Sequence, residues 1–92
     1  MRIRWLSRAV EDLAHLHAYI AQDNPEAAAS EVDKVVEAVK RLEDHPASGR
    51  PGRVPGTREL VLARYIVAYR VKEQVVQILR ILHAARKWPE HF

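Results

Sequence analysis

Residues 64–83 read "RYIVAYRVKEQVVQILRILH", and the period of this stretch decides the fold. Tyr65, Val67, Tyr69 and Val71 alternate with Ile66, Ala68 and Arg70, the two-residue repeat of a strand. The segment "KEQ" at 72–74 breaks the repeat and supplies a tight turn. "RYIVAYRV" (64–71) and "QVVQILRILH" (74–83) are therefore expected to pair as a hairpin. The second of these strands is apolar on both sides, which suits a central place in a sheet. Arg80 is its exception. Strict alternation sets it on the face of Val76, Ile78 and Leu82, where a charge needs a partner or a cleft. Two readings stand: a structural pair, with Glu59 as the partner, or a functional role at a ligand.

Upstream of the hairpin, "RELVL" (58–62) reads as a further strand. The preceding segment "PASGRPGRVPG" (46–56) holds all three glycines and three of the five prolines, and is a loop stiffened by its prolines. Before it the period changes to that of a helix. Ala28, Val32, Val35, Val36, Val39 and Leu42 form one apolar stripe, opened by Asn24 as cap and Pro25 at the first helical position. An earlier stripe of Val10, Leu13, Leu16, His17 and Ile20 marks another helix, with Ser7 as its expected N-cap and Glu11 and Asp12 near its positive end. The opening "RIRWL" alternates as a short strand, Ile3 and Trp5 on one face and Arg2 and Arg4 on the other. The expected fold is α+β in the order β-α-α-β-β-β, a helical hairpin packed on a small, mostly antiparallel sheet, with residues 1–92 as a single domain.

Composition narrows the function. Nearly half of the 92 residues are apolar and 29% are charged, so the chain is globular rather than disordered. It has no cysteine, which excludes disulfides and thiolate metal sites and suits a reducing compartment. No apolar run approaches the roughly 20 residues of a membrane span, and "MRIRWLSRAV" lacks the apolar core of a signal peptide. A cytoplasmic protein without membrane association is expected. Net charge is +3, and it is unevenly spread: residues 57–92 hold seven Lys/Arg against three Asp/Glu. Such a local excess attracts polyanions.

The histidines give no metal site. His15 and His17 are two apart on a helix and point apart, and no His-x-x-x-His or His/Cys cluster occurs. His17, within the apolar stripe, is expected to be a packing histidine. No phosphate-binding glycine loop and no nucleophile motif appears, and no cofactor is implied. What remains is a group of cations and aromatics in the second half: Arg58, Arg64, Tyr65, Tyr69, Arg70, Arg80, His83, Arg86, Lys87 and Trp88. A histidine among arginines can move a proton while the cations hold phosphate charge. The structural alternatives are a capping hydrogen bond for His83 and core packing for Trp88.

In this order, the segments "WLSRAVEDL" (5–13), "YIAQDNPEAA" (19–28), "GTREL" (56–60), "YIVAYRV" (65–71) and "ILRILHAARKWP" (78–89) resemble the RelE/ParE superfamily of toxins from bacterial type II toxin–antitoxin pairs. The resemblance implies an αα-hairpin on a curved antiparallel sheet and a cognate antitoxin that wraps the toxin. It also implies one of two targets. RelE-like members cleave messenger RNA in the ribosomal A site, and ParE-like members inhibit DNA gyrase by binding it. On the ribonuclease pattern, Arg58 stands for one cation of the strand after the loop, but Leu60 takes the place of the next. Ile66 stands where an arginine follows the tyrosine, and Arg86 and Trp88 answer the late arginine and aromatic. These losses favour the gyrase-directed branch. Under it, Arg58, Arg64, Tyr65, Arg70, Arg86, Lys87 and Trp88 are the expected target-binding residues. Under the ribosome-dependent alternative, His83, Arg80 and Arg86 are the expected catalytic set. A third alternative is an inactive homologue that retains only antitoxin binding.

Overall fold

The structure, a computed structural model, describes residues 1–85. Its elements are β1 (Arg2–Trp5), α1 (Ser7–Ala21), α2 (Pro25–Lys40) followed by a 3-10 turn (Arg41–Glu43), β2 (Arg50–Pro51), β3 (Arg58–Val61), β4 (Tyr65–Lys72) and β5 (Val75–His83). The five strands form one sheet in the order β1-β5-β4-β3-β2, with β1 parallel to β5 and the other pairs antiparallel. This is the expected order of elements with one addition, β2. It was hidden in the proline-rich loop because it has only two residues and includes Pro51. A proline is tolerated there because an edge strand leaves one row of donors unused.

The helices begin differently. In α2, Asn24 accepts from the Ala27 N–H at 3.1 Å, Pro25 occupies the first turn and Glu26 adds negative charge at the positive end. In α1, Ser7 is already helical and Leu6 stands in the cap position without a side-chain bond. The sheet sets that entry instead: Leu6 N–H donates to Ile78 O at 3.0 Å, so the chain turns directly from β1 into the helix. Ala9, Leu13, Leu16 and Ile20 of α1 face inward, together with Val32, Val35, Val39 and Leu42 from α2 and the turn after it. Val10 and Val36 fall outside these stripes and are exposed. His17 is exposed as well, so it is not the packing histidine its neighbours implied.

Against the helices the sheet presents Ile3 and Trp5, Leu60, Tyr65, Val67 and Tyr69, and Val76, Ile78 and Ile81. The last three are not evenly spaced. Ala68 pairs with Arg80 and Tyr69 with Ile78, so Leu79 is an extra residue that bulges β5. The bulge shifts the alternation. Ile81 takes the inward position, and Arg80 and Leu82 leave the face shared by Val76 and Ile78.

The loop before β3 is tied down from the sheet. The fully buried Tyr69 hydroxyl donates to Pro46 O and accepts from Gly49 N–H, each at 2.8 Å. The Arg58 guanidinium donates to Gly49 O at 2.8 Å. The Glu59 carboxylate, 2% exposed, takes Arg50 Nη2 and the Arg53 N–H, both at 2.8 Å. Burial is the largest single influence on Glu59 and opposes its ionisation. The Arg53 N–H bond, the Arg50 bond and the two nearby positive charges together outweigh it and hold the carboxyl below its ordinary range.

Candidate functional site

Where β1 ends at Trp5, β5 continues to His83 paired only with β4, and among the described residues α1 runs beside the edge that β1 leaves. The space between them is a groove of about 810 Å³. Asp12, His15, Leu16 and Tyr19 of α1 form one wall, at i, i+3, i+4 and i+7 on a single helical face. Arg80, Ile81 and His83 of β5, with Arg64 and Tyr65 at the start of β4, form the other. The groove thus gathers four of the residues expected from the sequence: Arg64, Tyr65, Arg80 and His83.

Arg80 is engaged. Its Nε donates to Asp12 Oδ2 at 2.7 Å and its Nη2 to Asp12 Oδ1 at 3.1 Å, with both side chains largely buried. Asp12 Oδ2 also accepts the Ile81 N–H at 2.9 Å. The carboxylate therefore does for the open edge of β5 what a neighbouring strand would do. The Asp12 hydrogen bond is the main influence raising the Arg80 pKa; burial opposes it and the charges of Asp12 and Glu11 support it. Glu59, the expected partner, lies across the sheet on β3 and is held by Arg50 and Arg53. Register sets Glu59 and Arg80 on opposite sides of Ala68, two strands apart, so each is met by a nearer partner.

His83 pairs with Tyr65 across the hairpin, and the two rings meet edge to face with centroids 5.6 Å apart. Its Nδ1 accepts the Ala85 N–H at 3.2 Å, which leaves the proton of the neutral ring on Nε2. This is the capping bond weighed as its structural role. Tyr19, 69% exposed, projects at the groove's rim.

The other expected residues lie apart. Arg58 faces the proline loop and bonds its carbonyls. Arg70 sits toward the β4–β5 turn, with its Nε on Gln77 Oε1. Arg86, Lys87 and Trp88 lie outside the described residues. Asp12, His15 and Tyr19 were missed from the sequence, although their helical spacing was a usable signal. Leu60 and Ile66, at the two positions where the ribonuclease pattern has cations, are turned into apolar surroundings: Leu60 packs against the core and Ile66 is 3% exposed. Among the described residues no three His, Asp or Glu side chains gather as metal ligands, and no helix is long and apolar enough to cross a membrane.

Residues 3–88 match the family described as the ParE toxin of type II toxin–antitoxin system, parDE. The chain belongs to the ParE toxin family. Curated relatives agree. "Putative toxin Y4kP" of Sinorhizobium fredii is 50% identical over 91 residues, covering 97% of this chain and 94% of the relative. Toxin RelE2 of Caulobacter vibrioides is 33% identical over 85 residues, covering 92% and 97%. Among solved structures, one of the chromosomal ParDE system from P. aeruginosa superposes with a TM-score of 0.80 at 38% identity, covering 90% of this chain and 95% of that one. The toxin–antitoxin complex RelBE2 of Mycobacterium tuberculosis gives 0.65 at 28% identity, covering 89% and 95%. This ParE-family chain is therefore a toxin of a type II toxin–antitoxin system, with the two-helix, mixed-sheet fold of its RelE/ParE relatives.

Proposed function

We propose that this toxin is held inactive by a cognate antitoxin protein and acts by binding and inhibiting DNA gyrase, without catalysing a reaction. The antitoxin follows from the relatives, whose structures are of a ParDE system and a RelBE2 complex. The absence of catalysis rests chiefly on Arg80. Cleavage of RNA through its 2′-hydroxyl needs cations aimed at the phosphate as charge develops. Arg80 spends two donors on Asp12, and Leu60 and Ile66 bring no charge. A protein-binding toxin needs none of these.

A ribosome-dependent messenger RNA endonuclease is the second reading. It is favoured by the meeting of Arg64, Tyr65, Arg80 and His83 in one groove and by the likeness to toxin RelE2. The two separate in one experiment. Antitoxin-free toxin is added to a gyrase supercoiling assay and, in parallel, to translating ribosomes whose messages are mapped for new 5′ ends. Inhibited supercoiling with intact message is expected, and the His83→Ala variant inhibits as its parent does. Cleavage at A-site codons that disappears in His83→Ala overturns the proposal. Folded toxin that is inert in both assays yet captures its antitoxin is the third case, an inactive homologue.

A further inference from the structure

The face of the sheet turned away from the helices carries cations that the groove does not use. Strand register places them. Arg2 lies opposite Val75 and Arg4 opposite Gln77 across β1 and β5; Lys72 lies opposite Val75 and Arg70 opposite Gln77 across β4 and β5. Two lateral rows result, Arg2–Val75–Lys72 and Arg4–Gln77–Arg70. Ile3, Trp5, Val76 and Tyr69, which alternate with them, pack in the core, so both rows point outward. All four cations are exposed, and Arg70 Nε donates to Gln77 Oε1 within its row. Strand spacing and rise set them at the corners of a rectangle roughly 10 Å by 7 Å. Neither row contains a carboxylate. Glu73 lies beyond them in the turn, and Glu59 on β3 is buried under Arg50 and Arg53.

We infer that this outer face binds the phosphate backbone of duplex DNA, without regard to sequence. Four cations held at a set spacing on rigid strands, with no acid among them, attract a polyanion and displace its counterions. Protein partners are anchored by large apolar or aromatic side chains, and the rows offer only Val75 and Gln77 between their charges. Single strands are held by stacking on aromatic rings, and neither row has one. Cations spaced along strands meet phosphates, which carry no sequence information, rather than base edges. The inference is independent of the gyrase reading and needs only naked DNA.

The test is fluorescence anisotropy of a labelled mixed-sequence duplex titrated with antitoxin-free toxin at several salt concentrations. Four phosphate contacts give a log–log salt slope of about −3.6, which is a loss of roughly 150-fold in affinity between 50 and 200 mM salt. The Arg4→Gln/Arg70→Gln variant binds at least roughly tenfold more weakly at low salt, and its slope is shallower by about 2. Arg41→Gln, on the turn after α2, binds as the parent does. Circular dichroism establishes that each variant is folded. No binding at 50 mM salt overturns the inference, as does affinity unchanged in Arg4→Gln/Arg70→Gln. A single strand of equal length or a polyglutamate peptide that binds more tightly than the duplex overturns it as well. Gyrase inhibition enters none of these readouts.

Discussion

Asp12 and Arg80, 68 positions apart in the chain, form a bidentate ion pair that joins α1 to the uncovered end of β5. The same Asp12 oxygen that meets Arg80 Nε also accepts the Ile81 N–H, so one carboxylate satisfies a strand edge and a largely buried cation. Its removal leaves both unpaired. Asp12→Ala is expected to cost about 2–4 kcal/mol of stability, somewhat less than a fully buried pair because each side chain keeps some exposure. Arg80→Met costs less, since Asp12 retains the Ile81 bond. Urea unfolding of the two variants checks the asymmetry. Equal losses would mean that the Ile81 bond contributes nothing.

Glu59 gives the fold an acid-sensitive point. Its carboxyl titrates below the unfolded value of about 4.5, because its bonds to Arg53 and Arg50 and their charges overcome a dominant burial penalty. The stabilisation is therefore complete above about pH 4.5 and lost as pH falls through the folded value. Glu59→Gln is less stable than its parent at neutral pH, and the difference shrinks toward pH 3. Urea midpoints measured from pH 7 down to pH 3 test this. A gap that stays constant would show that Glu59 is not the group responsible.

The strands around residues 64–83, the Asn24–Pro25 cap and the inward stripes of both helices were readable because each follows a local rule of period or capping. What escaped depends on partners distant in sequence. Glu59, the partner expected for Arg80, lies two strands away across Ala68, and nothing local marks Asp12 as the residue that reaches β5. His17 is one position from Leu16, and a stripe drawn slightly too wide includes it. β2 has two residues, one a proline, and is a strand only because Glu59 and Arg58 lie opposite. For the groove, the hairpin side was legible as a cluster of cations and aromatics. The helix side was not, since His15 and Tyr19 look like surface residues until α1 is seen beside a bare strand edge.

Gly49 is required by Tyr69. A Cβ at residue 49 would stand 2.6 Å from the Tyr69 hydroxyl and 2.7 Å from its ring, against a fully buried side chain that cannot swing away. Gly49→Ala is expected to cost about 1–3 kcal/mol through this overpacking. Tyr69→Phe strands Pro46 O and Gly49 N–H and costs about 1–3 kcal/mol. The double variant loses less than the sum, because the hydroxyl that the added methyl would strike is gone. A double-mutant cycle by chemical denaturation measures the coupling, and strict additivity would refute a direct contact.

The turn between β4 and β5 departs from the usual chemistry of its geometry. Glu73 and Gln74 have φ of 52° and 66°, both in the left-handed region that two-residue hairpins demand and that Asn-Gly fills with least strain. A side chain other than Gly, Asn or Asp costs roughly 1–2 kcal/mol there. Glu73→Asn/Gln74→Gly should therefore stabilise the chain by about 1 kcal/mol, after the extra freedom that glycine gives the unfolded state is counted. Because both residues are exposed, no packing is lost. The expected result is a melting temperature higher by about 4–8 °C. An unchanged or lower melting temperature would mean that the turn holds its two residues without strain.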